Sequence, residues 1–296
     1  MRHVRRDVTI TTGPDPIAAW CYEPVGPGPL RRPAVVLSHG FSAVKELGLD
    51  DYAAVFADAG YVVVAFDHPC FGGSGGEPRQ DVDPDRQLAA TAAVLGWVAG
   101  HDGVDPGAIG LWGTSFSGGH AVTLAATDDR VRAVVAQVPF LCPPADELPA
   151  DLADVLALDE QQRAAGETPI TIPVVTDDPA GFGALSPDPA SFAFFRERAA
   201  SAPSWRNEVT LASIGRLFGY RPIDVAAAVR APVLLVAARD DVLAPFEFVG
   251  RAHAAMPSTC DLVELPGGHF DAYGEGFGLT SQAALGWFER WLQPSS

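Results

Sequence analysis

Four short segments, far apart in the chain, carry residue types suited to acyl transfer. In Leu111-Trp112-Gly113-Thr114-Ser115-Phe116-Ser117-Gly118-Gly119 an apolar run ends, a serine sits among small residues, and a helical stretch begins. Attack on a carbonyl needs a hydroxyl pushed out on a sharp turn, with small neighbours so that the strained backbone fits. It also needs the next main-chain N–H, that of Phe116, at a helix N-terminus where the dipole favours an oxyanion. The segment departs from G-x-S-x-G at its last position, Ser117. Serine is small enough to be tolerated there, and Gly118-Gly119 preserve close packing of the helix. Alone, such a segment also fits an ordinary strand-to-helix turn.

The other three segments supply the missing parts. Leu37-Ser38-His39-Gly40-Phe41-Ser42 follows a buried apolar run, and a His-Gly turn in that place offers the Phe41 amide as second oxyanion donor. His39 itself is expected to shape the turn. Leu265-Pro266-Gly267-Gly268-His269-Phe270 places a histidine in a glycine-flanked loop after the last strand. There a short loop on a rigid sheet lets the imidazole reach the serine as base. Of the seven histidines only His269 has these attributes. The acid lies in Arg239-Asp240-Asp241-Val242-Leu243-Ala244-Pro245. A carboxylate bonded to the imidazole fixes its tautomer and stabilises the imidazolium, and only one of the pair can do so. The D-x-x-x-P spacing selects Asp241 and leaves Asp240 in reserve. The order serine, aspartate, histidine is one of the known orders of such triads.

These parts need a frame that brings distant segments to one edge. Val8 to Thr12 and Ile17 to Tyr22 read as a leading hairpin around Gly13-Pro14-Asp15. Short apolar runs at Ala34–Leu37, Tyr61–Phe66, Ala108–Trp112, Val131–Val138, Pro232–Ala237 and Cys260–Leu265 predict strands, most of them buried on both faces. Helical periodicity fits Leu49–Ala59, stopped by Gly60, then Asp85–Ala99, Phe116–Ala126 and Ser281–Leu292. This alternation predicts an α/β fold with a mostly parallel central sheet flanked by helices, its antiparallel part confined to the beginning. The rhythm breaks between residues 140 and 222. That stretch opens with Pro143-Pro144, carries a helix near Leu148 to Ala165, and is rich in proline and aromatics. It is too long for a loop in a compact domain. We therefore divide the chain into a first core part (1–139), a helical lid insertion (140–222) and a second core part (223–296).

Composition narrows the function classes. The formal charge of −17 opposes binding to nucleic acid. No apolar stretch long enough for a membrane span or a secretory leader is found, so a cytoplasmic location is expected. Cys21, Cys70, Cys142 and Cys260 lack the spacing of a zinc site or a disulfide framework and are expected to be reduced, mostly buried thiols. Association with copies of itself is left open.

From about Arg32 onward the chain resembles the α/β-hydrolase superfamily. More narrowly, it is similar to dienelactone-hydrolase-like and X-Pro dipeptidyl-peptidase-like serine hydrolases. The likeness rests on His39-Gly40-Phe41 with Lys45-Glu46, on Phe66-Asp67 and Phe71 through Gln80, on Gly113 to Gly119, and on Gly268-His269-Phe270-Asp271. It implies an α/β-hydrolase fold, a Ser115–Asp241–His269 triad, and no metal or organic cofactor. The expected reaction is hydrolysis of a carboxylic ester, lactone or thioester with a largely apolar acyl group. Peptide, amide or carbon–carbon bond hydrolysis by the same triad, and a ligand-binding protein without turnover, are the alternatives.

Several tempting features are read conservatively. Phe71-Gly72-Gly73-Ser74-Gly75-Gly76 lacks the G-K-[ST] ending of a phosphate loop and is expected to be a flexible turn beside the pocket. Asp67-His68 is expected to serve a turn, and His120 to pack. Phe182, Phe192, Phe194, Phe195, Trp205, Phe218 and Tyr220 either line the pocket or pack the lid on the core. Arg206 and Asn207 either meet a polar ligand end or brace the insertion.

Overall fold

Among its described residues the chain threads ten strands: β1 (His3–Ile10), β2 (Ile17–Pro24), β3 (Arg32–Ser38), β4 (Val62–Phe66), β5 (Val104–Thr114), β6 (Val131–Gln137), β7 (Thr171–Ile172), β8 (Val209–Thr210), β9 (Val233–Ala238) and β10 (Cys260–Leu265). Eight of them form one sheet in the order β1-β2-β4-β3-β5-β6-β9-β10 in this computed structural model. It describes residues 3–11, 13–143, 149–178, 181–185, 188–257 and 259–293. β3 through β10 of this sheet run parallel, and only β1–β2 and β2–β4 are antiparallel. The mostly parallel sheet with antiparallel pairing at its start is therefore as expected. Thr12, Pro144 and Leu148 lie outside the described residues.

Alternating side chains on the parallel strands feed two cores. Val36, Leu111, Val134 and Leu235 face α2 (Pro84–Ala99), α3 (Phe116–Thr127) and α7 (Phe246–Ala255). Val35, Leu37, Val135 and Val236 face α1 (Leu49–Asp58) and α8 (Phe277–Trp291). Burial on both faces explains why these strands appear as unbroken apolar runs rather than alternating ones. Each fully buried large side chain, such as Phe56 or Phe288, contributes about 1.5–3 kcal/mol relative to exposure. α2 begins where the Asp83 carboxylate accepts the amides of Asp85 and Arg86, with Pro84 in the first turn. α8 begins a turn before the expected Ser281, because two glycines near its start hide the periodicity.

Residues 140–222 contain α4 (Ala150–Ala164), α5 (Pro189–Arg198) and α6 (Leu211–Gly219), together with the two-residue antiparallel ladder β7–β8, which the sequence did not predict. Polar contacts tie this segment to the core. Arg216 and Thr210 bond the buried Asp81 carboxylate, and Trp205 Nε1 donates to the Ser42 carbonyl at 3.0 Å. At its far end the Tyr220 hydroxyl donates to His120 Nδ1 (2.5 Å), whose Nε2–H donates to Gln87 Oε1 (2.9 Å). The Tyr220 ring lies parallel to Phe140, so the two ends of the segment meet over α3. Burial holds His120 neutral, pushing its pKa down to about 3. Tyr220→Phe leaves a fully buried acceptor without a donor and is expected to cost about 1–3 kcal/mol of stability. Chemical denaturation of the two proteins measures it, and an unchanged midpoint and slope would count against the bond's importance.

Candidate active site

β5 ends at Thr114, and the chain then turns abruptly into α3. Ser115 occupies the turn with φ 55° and ψ −119°, a conformation that costs a non-glycine residue roughly 1–3 kcal/mol. Main-chain bonds hold it there: its N–H donates to Gln137 O at 2.8 Å, and its carbonyl accepts from Gly118 and Phe140, both at 2.9 Å. Gly113 allows the return of the helix, since a Cβ there would lie 2.0 Å from the Ser117 carbonyl oxygen. Gly40 allows the approach of the neighbouring loop, since its Cβ would lie 2.9 Å from Ser115 Cβ.

Two further loops converge on this turn. His269 opens a short helical turn after β10; its Nδ1–H donates to Asp241 Oδ2 at 2.7 Å, and its Nε2 accepts from Ser115 Oγ at 3.0 Å. Asp241 Oδ1 accepts the amides of Leu243 (2.9 Å) and Ala244 (2.8 Å), so both carboxylate oxygens are occupied. The Asp241 side chain is fully buried, whereas Asp240 is exposed. The His269 loop is fixed by the Asp271 carboxylate, which accepts the Gly268 amide at 2.7 Å. Gly267, at φ +89°, leaves room for that carboxylate, because a Cβ would meet Asp271 Oδ2 at 2.1 Å.

The hydroxyl opens into a cavity of about 330 Å³. Phe41 and Phe116, whose rings meet edge to face, flank Ser115. The Phe116 amide, in the first turn of α3, has no acceptor within the helix. Phe182, Phe194, Phe195 and Phe218 bring the insertion onto the cavity, while Phe192, Trp205 and Tyr220 pack behind it. Its polar lining is confined to His39, Thr114, Ser115, His269 and Tyr273, and no charged side chain lines it among the described residues.

A profile of the X-Pro dipeptidyl-peptidase (S15 family) matches residues 13–147. That span includes Phe41, Ser115 and Phe116 but stops short of Asp241 and His269. Over 278 residues the chain is 29% identical to the quorum-quenching protein AidA of Acinetobacter baumannii, covering 92% of this chain and 90% of that one. It is 30% identical over 226 residues to a thiohydrolase of Eupenicillium brefeldianum, covering 74% and 73%. The crystal structure of the α/β hydrolase GrgF from Penicillium sp. sh18 superposes with a TM-score of 0.85 at 25% identity, over 98% of this chain and 99% of that one. The chain belongs to the α/β-hydrolase superfamily. Of the two narrower likenesses carried by the motifs, the X-Pro dipeptidyl-peptidase family is the one whose profile matches, over less than half of the chain.

Other polar residues of this hydrolase build support rather than chemistry. The glycine-rich loop is not a flexible turn at the pocket: it wraps the fully buried Asp67 carboxylate, which accepts the Gly73 amide (2.9 Å) and the Lys45 ammonium (2.5 Å). Arg79 closes that loop by donating to the carbonyls of Gly72 and Ser74. Asn207 braces the Val175 main chain through both amide atoms, and exposed Arg206 lies off the cavity. Beneath the site, Tyr52 OH bonds Gln137 Oε1, Ala272 O and Thr280 Oγ1, linking the end of β6, whose Gln137 carbonyl accepts the Ser115 amide, to the His269 loop. Tyr273 OH bonds Thr114 Oγ1 from the cavity side. The sequence assigned no role to Tyr52 or Tyr273 and no bonding role to Ser117, and it marked Lys45 only as part of the family likeness. Burial pushes the thiols of Cys21 and Cys70 up to about 11, so neither is a ready nucleophile. No helix among the described residues is long and apolar enough to cross a membrane.

Proposed function

We propose that this chain is a serine hydrolase that cleaves a carboxylic ester, lactone or thioester carrying a largely apolar acyl group. The observation that carries this reading is the continuous bonding from Asp241 through His269 to Ser115, opening into a cavity that no charged side chain lines among the described residues. Ser115 attacks the carbonyl carbon as His269 Nε2 takes its proton. The amides of Phe41 and Phe116 receive the developing oxyanion, and the leaving group departs with the proton from His269. Water, deprotonated by the same imidazole, then hydrolyses the acyl-enzyme. Residues 140–222 act as the lid, closing an apolar site where these charges interact strongly.

The cavity chemistry favours ester over peptide. A dipeptidyl peptidase must hold a charged N-terminal ammonium, and the described lining offers no carboxylate to pair with it. The similarity to a thiohydrolase supports thioesters within the same class, because the acyl half of the reaction is unchanged. At roughly 30 Å³ per small group, 330 Å³ accommodates on the order of ten non-hydrogen atoms.

A panel of p-nitrophenyl esters is therefore expected to show kcat/KM rising with acyl length up to about that size, by roughly 10- to 100-fold overall, and then falling. Aminoacyl anilides are expected to be poor substrates. If anilides alone turned over, the ester reading would fail.

A further inference from the structure

The departure from the elbow consensus at Ser117 has a partner set of its own. Ser117 is fully buried on α3, two residues past Ser115. Its hydroxyl donates to the His39 carbonyl at 2.5 Å. Its one hydrogen being used there, the 2.8 Å contact with His68 Nε2 must be an N–H of His68 donating to Ser117 Oγ. His68 returns to the first residue, since its main-chain N–H donates to His39 Nε2 at 3.1 Å. His39 then carries its proton on Nδ1, which donates to the Gly40 carbonyl at 3.0 Å. The side chains of Ser117, His39 and His68 are buried, and burial holds both imidazoles neutral.

The ring joins the two places from which the oxyanion donors come. Phe116 lies between Ser115 and Ser117 on the elbow helix, and Phe41 follows His39-Gly40 on the loop after β3. Gly40 already packs against Ser115 at a separation that admits no side chain, so small shifts of this loop change where the Phe41 amide points. A glycine at 117 keeps the helix but leaves the His39 carbonyl and the His68 N–H without partners. We propose that Ser117, through His39 and His68, is a positioning residue that sets the separation of the Phe41 and Phe116 amides around the oxyanion. This inference rests on the serine-hydrolase reading above.

The test compares wild type with Ser117→Gly, the consensus residue, and Ser117→Ala, which removes the hydroxyl without the backbone freedom of glycine. The probe is an alkyl trifluoromethyl ketone. Ser115 Oγ adds to its carbonyl carbon, the serine proton passes to His269 Nε2, and the carbonyl electron pair becomes an oxyanion between the two amides. For both variants we expect kcat on a p-nitrophenyl ester to fall about 10- to 100-fold, and ketone affinity to weaken by a similar factor. KM, and inhibition by an n-alkanol that fills the cavity without forming an oxyanion, should change by less than about twofold. The pH dependence of kcat/KM should stay in place. Unimpaired kcat in the soluble, folded variants overturns the proposal, and so does equal weakening of ketone and alkanol, which marks a distorted cavity. Wild-type protein that neither labels at Ser115 with a fluorophosphonate nor binds the ketone removes the serine-hydrolase reading and this inference with it.

Discussion

Ser115→Ala and His269→Ala are each expected to lower kcat for ester hydrolysis by about 10⁴- to 10⁶-fold, with KM nearly unchanged. The size follows from geometry. With Ser115 Oγ 3.0 Å from His269 Nε2, proton removal and attack occur in one preset arrangement. Removing either group leaves the oxyanion amides and the cavity, which alone retain a rate well above that in water. Because the two residues act as a unit, the double variant should be scarcely slower than either single one. Neither change should unfold the protein, and Ser115→Ala leaves the strained turn held by the bonds to Gln137, Gly118 and Phe140. Steady-state kinetics with a p-nitrophenyl ester, alongside fluorophosphonate labelling, measures the effect. A Ser115→Ala enzyme within tenfold of wild type, free of contaminating esterase, would sink the nucleophile assignment.

Local signatures explain why so much of the candidate site's geometry was legible in the sequence. Glycines 113, 40 and 267 each stand where a side chain would collide with neighbouring atoms, two of them within a few residues of the functional group they serve. The Asp241 turn is also local, since its carboxylate binds amides two and three residues on. Spacing therefore encodes it. The strands were legible because burial on both faces produces unbroken aliphatic runs. What escaped detection depends on partners far apart in sequence. Ser117 meets residues 49 and 78 positions away, and Tyr52 reaches Thr280 across 228. No residue type announces such pairings, so Ser117 looked merely small. Within the insertion, β7 and β8 are two residues each, too short for any periodicity. α5 escaped for a different reason: its capping Asp188 and Pro189 are ordinary start signals, but phenylalanines that serve the cavity interrupt an amphipathic pattern.

Asp241→Asn should lower kcat by about 10³- to 10⁴-fold while leaving the fold intact, and Asp240→Asn should change it by less than about threefold. The argument turns on which atom of the amide faces the imidazole. In the wild type, Oδ1 accepts two main-chain amides and Oδ2 accepts the Nδ1–H of His269. An asparagine keeps its oxygen on the amides of Leu243 and Ala244, because an NH2 group placed there would face two N–H donors and no acceptor. That turns the NH2 toward Nδ1, which must then be unprotonated, and the histidine proton moves to Nε2. An Nε2–H cannot take the proton of Ser115, so the base is present but in the wrong tautomer. Asp241→Ala is a useful contrast: it removes the carboxylate without imposing a tautomer, so its kcat should not fall below that of the asparagine variant by more than the loss of the supporting turn. Asp240, exposed and with its amide bonded to Gly267 O, has no route to the imidazole. Full activity in Asp241→Asn with loss in Asp240→Asn would reverse the assignment of the acid.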